Sequence, residues 1–401
     1  MTSPSDHRAD GAPEPRWRMP HEGDPHERTW MAWPTGGYTL GDTLEEAEEA
    51  RDAWAAVANA VAGAEPVTML VDPSQREHAV RRLGSEVELV ECPLDDAWMR
   101  DIGPSFVVRE REDGSRELGA ACWRFNGWGQ QAWAIWRHDA EVGRVVAELA
   151  RATRVDAPIV NEGGGIQVDG EGTVLLTRTV QLDPGRNSGA SEAEIEAVMA
   201  RTIGAETAIW LSRGLARDSE EFGTRGHVDL VAAFAEPGRV LVHEQRDDRH
   251  PDHRIAAKLR SELAAARDAR GRSLELLPLP APRQVSDAEG WVDWSYVNHL
   301  VANGMVIACA FDDPADAEAA AILREAYPER EIVAVDARPL FARGGGIHCI
   351  TQQQPKVERS GPRTASRRDD AAPGPRESIR PAPSSCGSPR ARRGTPASRC
   401  P

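Results

Sequence analysis

A helix followed by a short apolar strand recurs five times along this chain, and this order limits the folds that it can adopt. Helical patterns cover residues 44–61, 139–152, 192–203, 255–267 and 315–326, and apolar strand patterns follow at 67–71, 157–160, 208–211, 274–279 and 332–335. Capping boxes open two of the helices, at Thr43 with Glu46 and at Ser191 with Glu194. Further strand patterns lie at 30–34, 106–108, 173–176, 228–234 and 305–308. A unit that recurs after about 50 to 60 residues is typical of repeat architectures.

Two glycine-rich segments favour a repeat over a doubly wound sheet. Glu162-Gly163-Gly164-Gly165-Ile166 in one unit resembles Arg343-Gly344-Gly345-Gly346-Ile347 in another. A Rossmann-type fold would also alternate helices and strands, but it would not explain these paired segments or the surplus strands. We therefore predict an α/β fold of five ββαβ-like modules around a pseudo-fivefold axis.

Composition divides the chain into three parts. Residues 1–15 are polar and rich in Pro, Asp and Ser, and we predict that they are disordered; residues 16–355 carry the patterned modules; residues 356–401 form a Pro, Ser and Arg-rich tail that we also predict to be disordered. The net charge is −16, although the tail is basic, so the patterned region is strongly acidic. Such a region repels nucleic acid and anionic lipid and weakly favours a cationic ligand.

The six cysteines have neither paired CxxC spacing nor the density of a secreted disulfide scaffold. We find no apolar segment long enough for a signal-peptide core or a membrane span. The sequence therefore predicts a soluble cytoplasmic protein with reduced thiols.

Polar segments follow the helix-and-strand units, where a pseudo-symmetric arrangement would bring them together. Their side chains supply carboxylates, an aromatic ring, an imidazole and a thiol: Asp96, Trp98, Glu162, His227, Asp229 and Cys349. The segment after the fourth unit, residues 291–295, suggests no role. A thiol, an imidazole and several carboxylates favour covalent thiol chemistry on a planar cationic substrate.

Each of these residues also has a purely structural interpretation. His227 and Asp229 lie two residues apart at the predicted start of a strand, so alternation places both on one face, where a hydrogen-bonded core histidine is as compatible as a catalytic one. Cys349 alone is compatible with a buried structural thiol, and Glu162 with the end of a strand. The combination favours an enzyme.

Five motifs in order carry a resemblance to a known family. They are Asp95-Asp96-Ala97-Trp98-Met99-Arg100-Asp101-Ile102-Gly103-Pro104, Phe125-Asn126-Gly127-Trp128-Gly129, Glu162-Gly163-Gly164-Gly165-Ile166, Gly226-His227-Val228-Asp229 and Gly346-Ile347-His348-Cys349-Ile350-Thr351-Gln352-Gln353-Gln354-Pro355. Across residues 17–355 the chain resembles agmatine deiminases of the guanidine-modifying, or pentein, superfamily. The resemblance implies a five-bladed pseudo-symmetric α/β propeller, with 16–355 as its catalytic domain and the active site on the central axis.

The resemblance also implies a reaction, the hydrolysis of agmatine to N-carbamoylputrescine and ammonia in putrescine and polyamine biosynthesis. Cys349 would attack the guanidinium carbon while Asp96 and Asp229 bind its nitrogens. His227 would protonate the departing ammonia and then deprotonate the water that cleaves the amidino-cysteine intermediate, and Glu162 would orient His227. Neither a metal nor an organic cofactor is required.

Further expectations follow from the resemblance. Trp98 could stack on the substrate, and the protein would be a homo-oligomer, a dimer or a multiple of one. Two features depart from the family pattern: Leu230 stands where many members have Asn, and residues 356–401 extend beyond the usual end.

Three alternatives to an agmatine deiminase remain open. The nearest is a deiminase of free or peptidyl arginine, whose substrate carries a carboxylate or amide at the end where agmatine carries an ammonium. A non-catalytic guanidinium or polyamine-binding protein belongs to another class, but it would not need the thiol. A papain-like protease does not fit the surrounding motifs.

Overall fold

The computed structural model describes residues 16–220 and 222–357, and five separate sheets organise them. The first sheet contains the strands His26–Ala32, Val67–Val71, Val87–Glu91 and Thr351–Pro355, and the second contains Ser105–Glu110, Arg116–Arg124 and Thr153–Val160. The third sheet contains Ile166–Val168, Thr173–Thr177 and Thr207–Leu211, and the fourth contains Ala232–Glu236, Arg239–Glu244 and Glu275–Pro280. The fifth contains Leu300–Ala302, Met305–Ala310 and Glu331–Asp336. A small hairpin joins Ser286–Asp287 to Gly290–Trp291.

The same connection is repeated in every one of these sheets. In four sheets two antiparallel strands come first, a helix crosses over, and a third strand then lies parallel to the second; in the first sheet Thr351–Pro355, from the far end of the chain, takes the place of the leading strand. The crossover helices are Leu44–Ala62, Asp139–Leu149, Glu192–Thr202, Pro251–Ala265 and Asp316–Ala326. The described residues therefore form five ββαβ modules of an α/β fold.

Shorter helices complete the described part of the chain. The α-helical ones are Gly37–Leu40, Arg76–Arg82, Met99–Ile102, Gly127–Gln130, Arg178–Gln181, Pro184–Asn187 and Arg338–Phe341. The 3-10 turns are Pro73–Gln75, Gly163–Gly165, Arg217–Ser219, Val228–Leu230 and His348–Ile350. Several of these turns connect one module to the next, and they carry most of the residues discussed below.

The first module is completed by the far end of the chain. Thr351–Pro355 pairs antiparallel with His26–Ala32, with Met31 opposite Thr351. Val67–Val71 then runs parallel to His26–Ala32, and Val87–Glu91 adds a fourth strand. Consequently, the segment that carries Cys349 is anchored to the first strand of the protein.

Local sequence signals determine where the main helices begin. Both predicted capping boxes are present, because Thr43 and Ser191 each accept a hydrogen bond from the backbone three residues later and receive the Glu46 or Glu194 carboxylate in return. The fourth helix begins at Pro251, four residues before the predicted start. Pro251 occupies the first turn and the His250 ring accepts from the backbone N–H of Asp252, so together they form a cap that apolar periodicity does not reveal.

The core lies between the helices and the central strands of the sheets. Val67–Val71 and Thr173–Thr177 are buried along their whole length, as expected for strands covered on both faces. Trp33, Trp54 and Tyr296 are among the largest fully buried side chains. The first strand begins at His26, four residues earlier than predicted, because polar His26 is itself buried against Glu65.

Two further observations concern regions for which the sequence makes predictions. Within the described residues, no helix is long and apolar enough to cross a lipid bilayer. The predicted disordered segment 1–15 and the tail from residue 358 onward lie outside the described residues.

Candidate active site

Cys349 lies in the 3-10 turn His348–Ile350, directly before the strand that completes the first module. Its Sγ is 3.7 Å from Asp229 Oδ2 and accepts a hydrogen bond from Asn298 Nδ2 at 3.2 Å. Burial, reinforced by the nearby carboxylates of Asp229 and Asp101, raises the pKa of the Cys349 thiol well above its usual value. In the free protein the sulfur is therefore a neutral thiol beside a carboxylate.

His227 and Asp229 do not lie on a strand, and the prediction that strand alternation places them on one face is wrong. Val228–Leu230 is a 3-10 turn, and the strand starts only at Ala232. The backbone N–H of His227 donates to Asp218 Oδ2 at 2.9 Å, which draws the chain into a turn. A hydrogen bond to a buried carboxylate outside the apolar segment therefore overrides the tendency of residues 228–234 to form a strand along their whole length.

The ring of His227 is buried between two carboxylates. Nε2 lies 3.3 Å from Glu162 Oε2, and Nδ1 lies 3.8 Å from Asp101 Oδ1. Burial alone would lower the pKa of His227, but Asp101 and Glu162 raise it to about 9. His227 is therefore an imidazolium at neutral pH, and Nδ1 has no hydrogen-bond partner among the described residues.

Glu162 is fully buried and is itself held by a cation. Arg186 Nε lies 3.0 Å from both of its carboxylate oxygens, and Arg186 Nη2 donates to the carbonyl of Thr224. Burial would raise the pKa of Glu162, but Arg186 and His227 lower it below the usual value. Glu162 therefore faces His227 as a carboxylate.

Asp229 uses one carboxylate oxygen and leaves the other free. Oδ2 accepts from His348 Nδ1 at 2.7 Å, whereas Oδ1 is buried without a hydrogen-bond partner in the described part of the chain. Although burial opposes ionisation, hydrogen bonding to His348 lowers the pKa of Asp229. An ionised, unsatisfied oxygen next to a thiol is costly unless a ligand completes it.

Trp98 lies close to the thiol beside the second glycine-rich segment, and Asp96 is hydrogen-bonded to Trp98. A Cβ atom on Gly345 would lie 2.7 Å from Trp98 Cζ3 and 3.1 Å from Cys349 Sγ, so the indole and the sulfur both lie close to the space that a side chain at residue 345 would fill. Asp96 accepts from the backbone N–H of Ala97 at 2.8 Å and from the Trp98 side chain. Burial raises the pKa of Asp96 to about 6.

The structure brings most of the predicted residues together. His227 contacts Glu162, Asp229 approaches Cys349, and Trp98 packs beside the thiol, while Asp96 is hydrogen-bonded to Trp98. Among residues 16–220 and 222–357, no cluster of three or more His, Cys, Asp or Glu side chains could hold a metal ion. The arrangement offers a nucleophile, a proton donor and a carboxylate with an unused oxygen.

Sequence reasoning did not assign several residues that contact this group: Glu22, Arg100, Asp101, Arg186, Asn298 and His348. Arg100, Asp101 and His348 lie in the family motifs that also contain predicted site residues, so the sequence could have indicated that they are close to the site. Glu22 had none, because it lies in a polar segment before the first strand. Asp293, from the segment without a suggested role, is buried, and burial raises its pKa to about 7.

Comparisons with known proteins identify the family of this chain. The family of Porphyromonas-type peptidyl-arginine deiminases matches residues 18–355. A Streptomyces coelicolor protein provisionally named agmatine deiminase is 58% identical over 342 residues, which cover 85% of this chain and 99% of that protein. The agmatine deiminase of Pseudomonas aeruginosa strain LESB58 is 40% identical over 385 residues, covering 90% and 100%.

A solved structure extends the similarity to the fold. The structure of the agmatine deiminase of Enterococcus faecalis superposes with a TM-score of 0.78 at 32% identity, over 85% of this chain and 96% of that one. The predicted α/β class and the resemblance to agmatine deiminases are thereby confirmed. This chain belongs to the Porphyromonas-type peptidyl-arginine deiminase family.

Proposed function

We propose that this protein hydrolyses agmatine to N-carbamoylputrescine and ammonia through a covalent amidino-cysteine intermediate. The observation that carries the proposal is the unpartnered Oδ1 of Asp229, a carboxylate whose other oxygen lies 3.7 Å from the Cys349 sulfur. A guanidinium N–H would satisfy this oxygen and bring the guanidinium carbon next to the thiol. The relatives named agmatine deiminases support agmatine as the guanidinium compound.

Substrate binding would also activate the nucleophile. The carboxylate of Asp229 disfavours a thiolate at Cys349 in the free protein. A guanidinium cation bound by Asp96 and Asp229 offsets that negative charge, so the thiolate becomes accessible only when the substrate is in place. The thiol gives its proton to solvent water, and the resulting thiolate adds to the guanidinium carbon.

His227 supplies and then removes a proton. As an imidazolium it protonates the nitrogen that leaves as ammonia when the C–N bond breaks. The resulting imidazole accepts a proton from the water that adds to the amidino carbon, and the C–S bond breaks to release the product and the thiol. Glu162, held by Arg186, stabilises the imidazolium form in both steps.

Trp98 would cover one face of the bound guanidinium. Its buried indole and the sulfur both border the space beside Gly345, and aromatic faces attract planar cations. Asp96 would bind the same cation from the side of Trp98, and its carboxylate is present above about pH 6.

The proposal extends to the arrangement of the modules. We propose that the five modules form a five-bladed propeller, one catalytic domain over residues 16–355, with the site on its axis. Support comes from the site itself, since its residues lie on connections between different modules: Cys349, Asp96, Glu162, His227 and Asn298. A cytoplasmic location and a homo-oligomer remain predictions, the second testable by light scattering on the purified protein.

The test is ammonia release with agmatine, free arginine and a peptidyl arginine offered separately. We expect turnover of agmatine and its loss in Cys349→Ala, while the variant still binds agmatine in a thermal shift assay. Turnover of free or peptidyl arginine instead would keep the chemistry and overturn the substrate. Binding without turnover by the folded wild type would favour a guanidinium-binding protein.

A further inference from the structure

His348, the residue before the nucleophile, is clamped between two carboxylates. Its Nδ1 lies 2.7 Å from Asp229 Oδ2, and its Nε2 lies 3.0 Å from Glu22 Oε2. The side chain is only 3% exposed, so water does not compete for these contacts. Because each carboxylate oxygen accepts a hydrogen, both bonds form only when both ring nitrogens carry one, which is the imidazolium form.

The surroundings favour that charge state. Burial and the neighbouring Arg100 would lower the pKa of His348, but Glu22 and Asp229 raise it above its usual value. Glu22 is held in turn by the backbone N–H of Val301 at 2.9 Å and has Arg100 Nη2 at 3.9 Å, so it stays ionised.

Three further charged or titratable groups of the described residues lie near His348. Arg100 donates to the His348 carbonyl at 3.2 Å and to Gln353 at 2.8 Å, so its guanidinium lies beneath the turn. His299 interacts electrostatically with His348; burial lowers the pKa of His299, and its ring bonds to the Tyr296 carbonyl and the Tyr327 hydroxyl. Cys349 itself is a neutral thiol.

We propose that His348, charged and fixed by Glu22, is a positioning residue that holds Asp229 ionised and directs its unused oxygen toward the substrate. This inference rests on the proposed function, because it assumes that Asp229 binds the guanidinium. His348 makes no contact with the reacting atoms in this assignment. It acts by occupying Oδ2 of Asp229, which leaves Oδ1 as the free acceptor.

Removing the imidazolium has a consequence that depends on pH. Asp229 is buried, and His227 and Arg100 are the other cations that lower its pKa, while Asp101 and Cys349 are the neighbouring acids. Without His348, burial raises the pKa of Asp229, so its carboxylate is retained at high pH and lost as the pH falls. A protonated Asp229 cannot pair with a guanidinium charge.

The first test is His348→Gln, which keeps the size and one N–H donor but removes the charge. We expect kcat/KM for agmatine to fall about tenfold near pH 8 and about a further tenfold near pH 6, mainly through KM. The matched control is His299→Gln, an equally buried histidine that does not contact Asp229. Its pH profile should follow the wild type.

A second variant covers the case in which His348→Gln does not fold. Glu22→Gln leaves an acceptor for Nε2 but removes the charge that helps to keep His348 protonated, so a smaller loss of kcat/KM is expected, and it should be larger near pH 8, where His348 gives up its proton, than near pH 6. A loss of equal size at both pH values, or one confined to kcat, would overturn the inference and assign these residues a structural role only.

Binding measurements separate this inference from the proposed function. In the Cys349→Ala background, agmatine affinity is measured by calorimetry with and without His348→Gln. A pH-dependent loss of affinity supports the positioning role even where the wild type releases no ammonia, and unchanged affinity rejects it even where agmatine is turned over.

Discussion

The close approach of Gly164 to His227 makes a steric test of the site possible without changing any charge. A Cβ atom at residue 164 would lie 2.5 Å from His227 Nδ1 and 3.0 Å from Asp101 Oδ1. Ordinary contact begins at 3.4 Å, so in Gly164→Ala the ring must retreat by about 0.9 Å. The φ angle of Gly164 lies outside the left-handed region, so alanine adds no backbone strain there.

The size of the effect follows from that displacement. Moving the ring by nearly 1 Å disturbs its 3.3 Å contact with Glu162, and misplacements of this order cost about 100-fold in rate, or about 2.7 kcal/mol in activation free energy. We expect kcat for agmatine to fall by about that factor. KM should stay within about threefold of the wild type, because Asp96 and Asp229 are untouched.

The assay is steady-state ammonia release over a range of agmatine concentrations, with melting curves to establish folding. Gly36→Ala is the matched control, since its Cβ would have no neighbour closer than Asp95 O at 3.9 Å. A Gly164→Ala protein that melts like the wild type and keeps kcat within about threefold would refute the placement of His227 as the proton donor.

Three further predictions address charge and packing. Asp96→Asn should raise KM at least about 30-fold above about pH 6, where the wild-type carboxylate is ionised, and have little further effect below it; KM measured against pH tests this. In Glu162→Gln the pKa of His227 falls from about 9, so the decline of kcat with rising pH should begin at a lower pH than in the wild type. A decline that begins at the wild-type pH would contradict the contact between Glu162 and His227. Leu175→Ala removes a fully buried side chain and should lower the free energy of unfolding by about 2 to 5 kcal/mol in urea titrations without altering kcat of the folded protein.

The helices and strands were predictable where a local signal specifies them. Thr43 and Ser191 determine helix starts through contacts within four residues, so sequence and structure agree there. The start at Pro251 was missed because its cap is a histidine ring, which periodicity does not reveal.

The turn at His227 could not be read from its neighbours. The apolar residues 228–234 suit a strand, but Asp218 and Thr224 both accept from the backbone N–H of His227 and bend the chain. A bond between residues that are separated by nine positions in an irregular loop leaves no periodic trace. The residue types of the site were predictable, whereas the conformation that presents them was not.

The supporting charges of the site were also beyond local patterns. Glu22 reaches His348 from 326 positions away, and Arg100 reaches Gln353 from 253 positions away. Hydrophobic periodicity reports which face of an element is buried, but it carries no information about which distant polar groups meet there. Because His348 is adjacent to Cys349 in a family motif, the sequence could indicate His348 as a site residue, but it could not indicate the residues that His348 contacts.

The pairing of Thr351–Pro355 with His26–Ala32 has a consequence for synthesis on the ribosome. The first strand is synthesised long before its antiparallel neighbour, which follows nearly all of the five modules. Until that neighbour has been made, one edge of the first strand exposes unpaired backbone N–H and C=O groups. Nascent chains that stall earlier also lack Cys349, so under the proposed function a truncated product would be inactive, and its open strand edge would make it prone to aggregate. A circular permutant that opens the chain between two later modules would shorten that wait, and its yield of folded protein would show how much the delay limits folding.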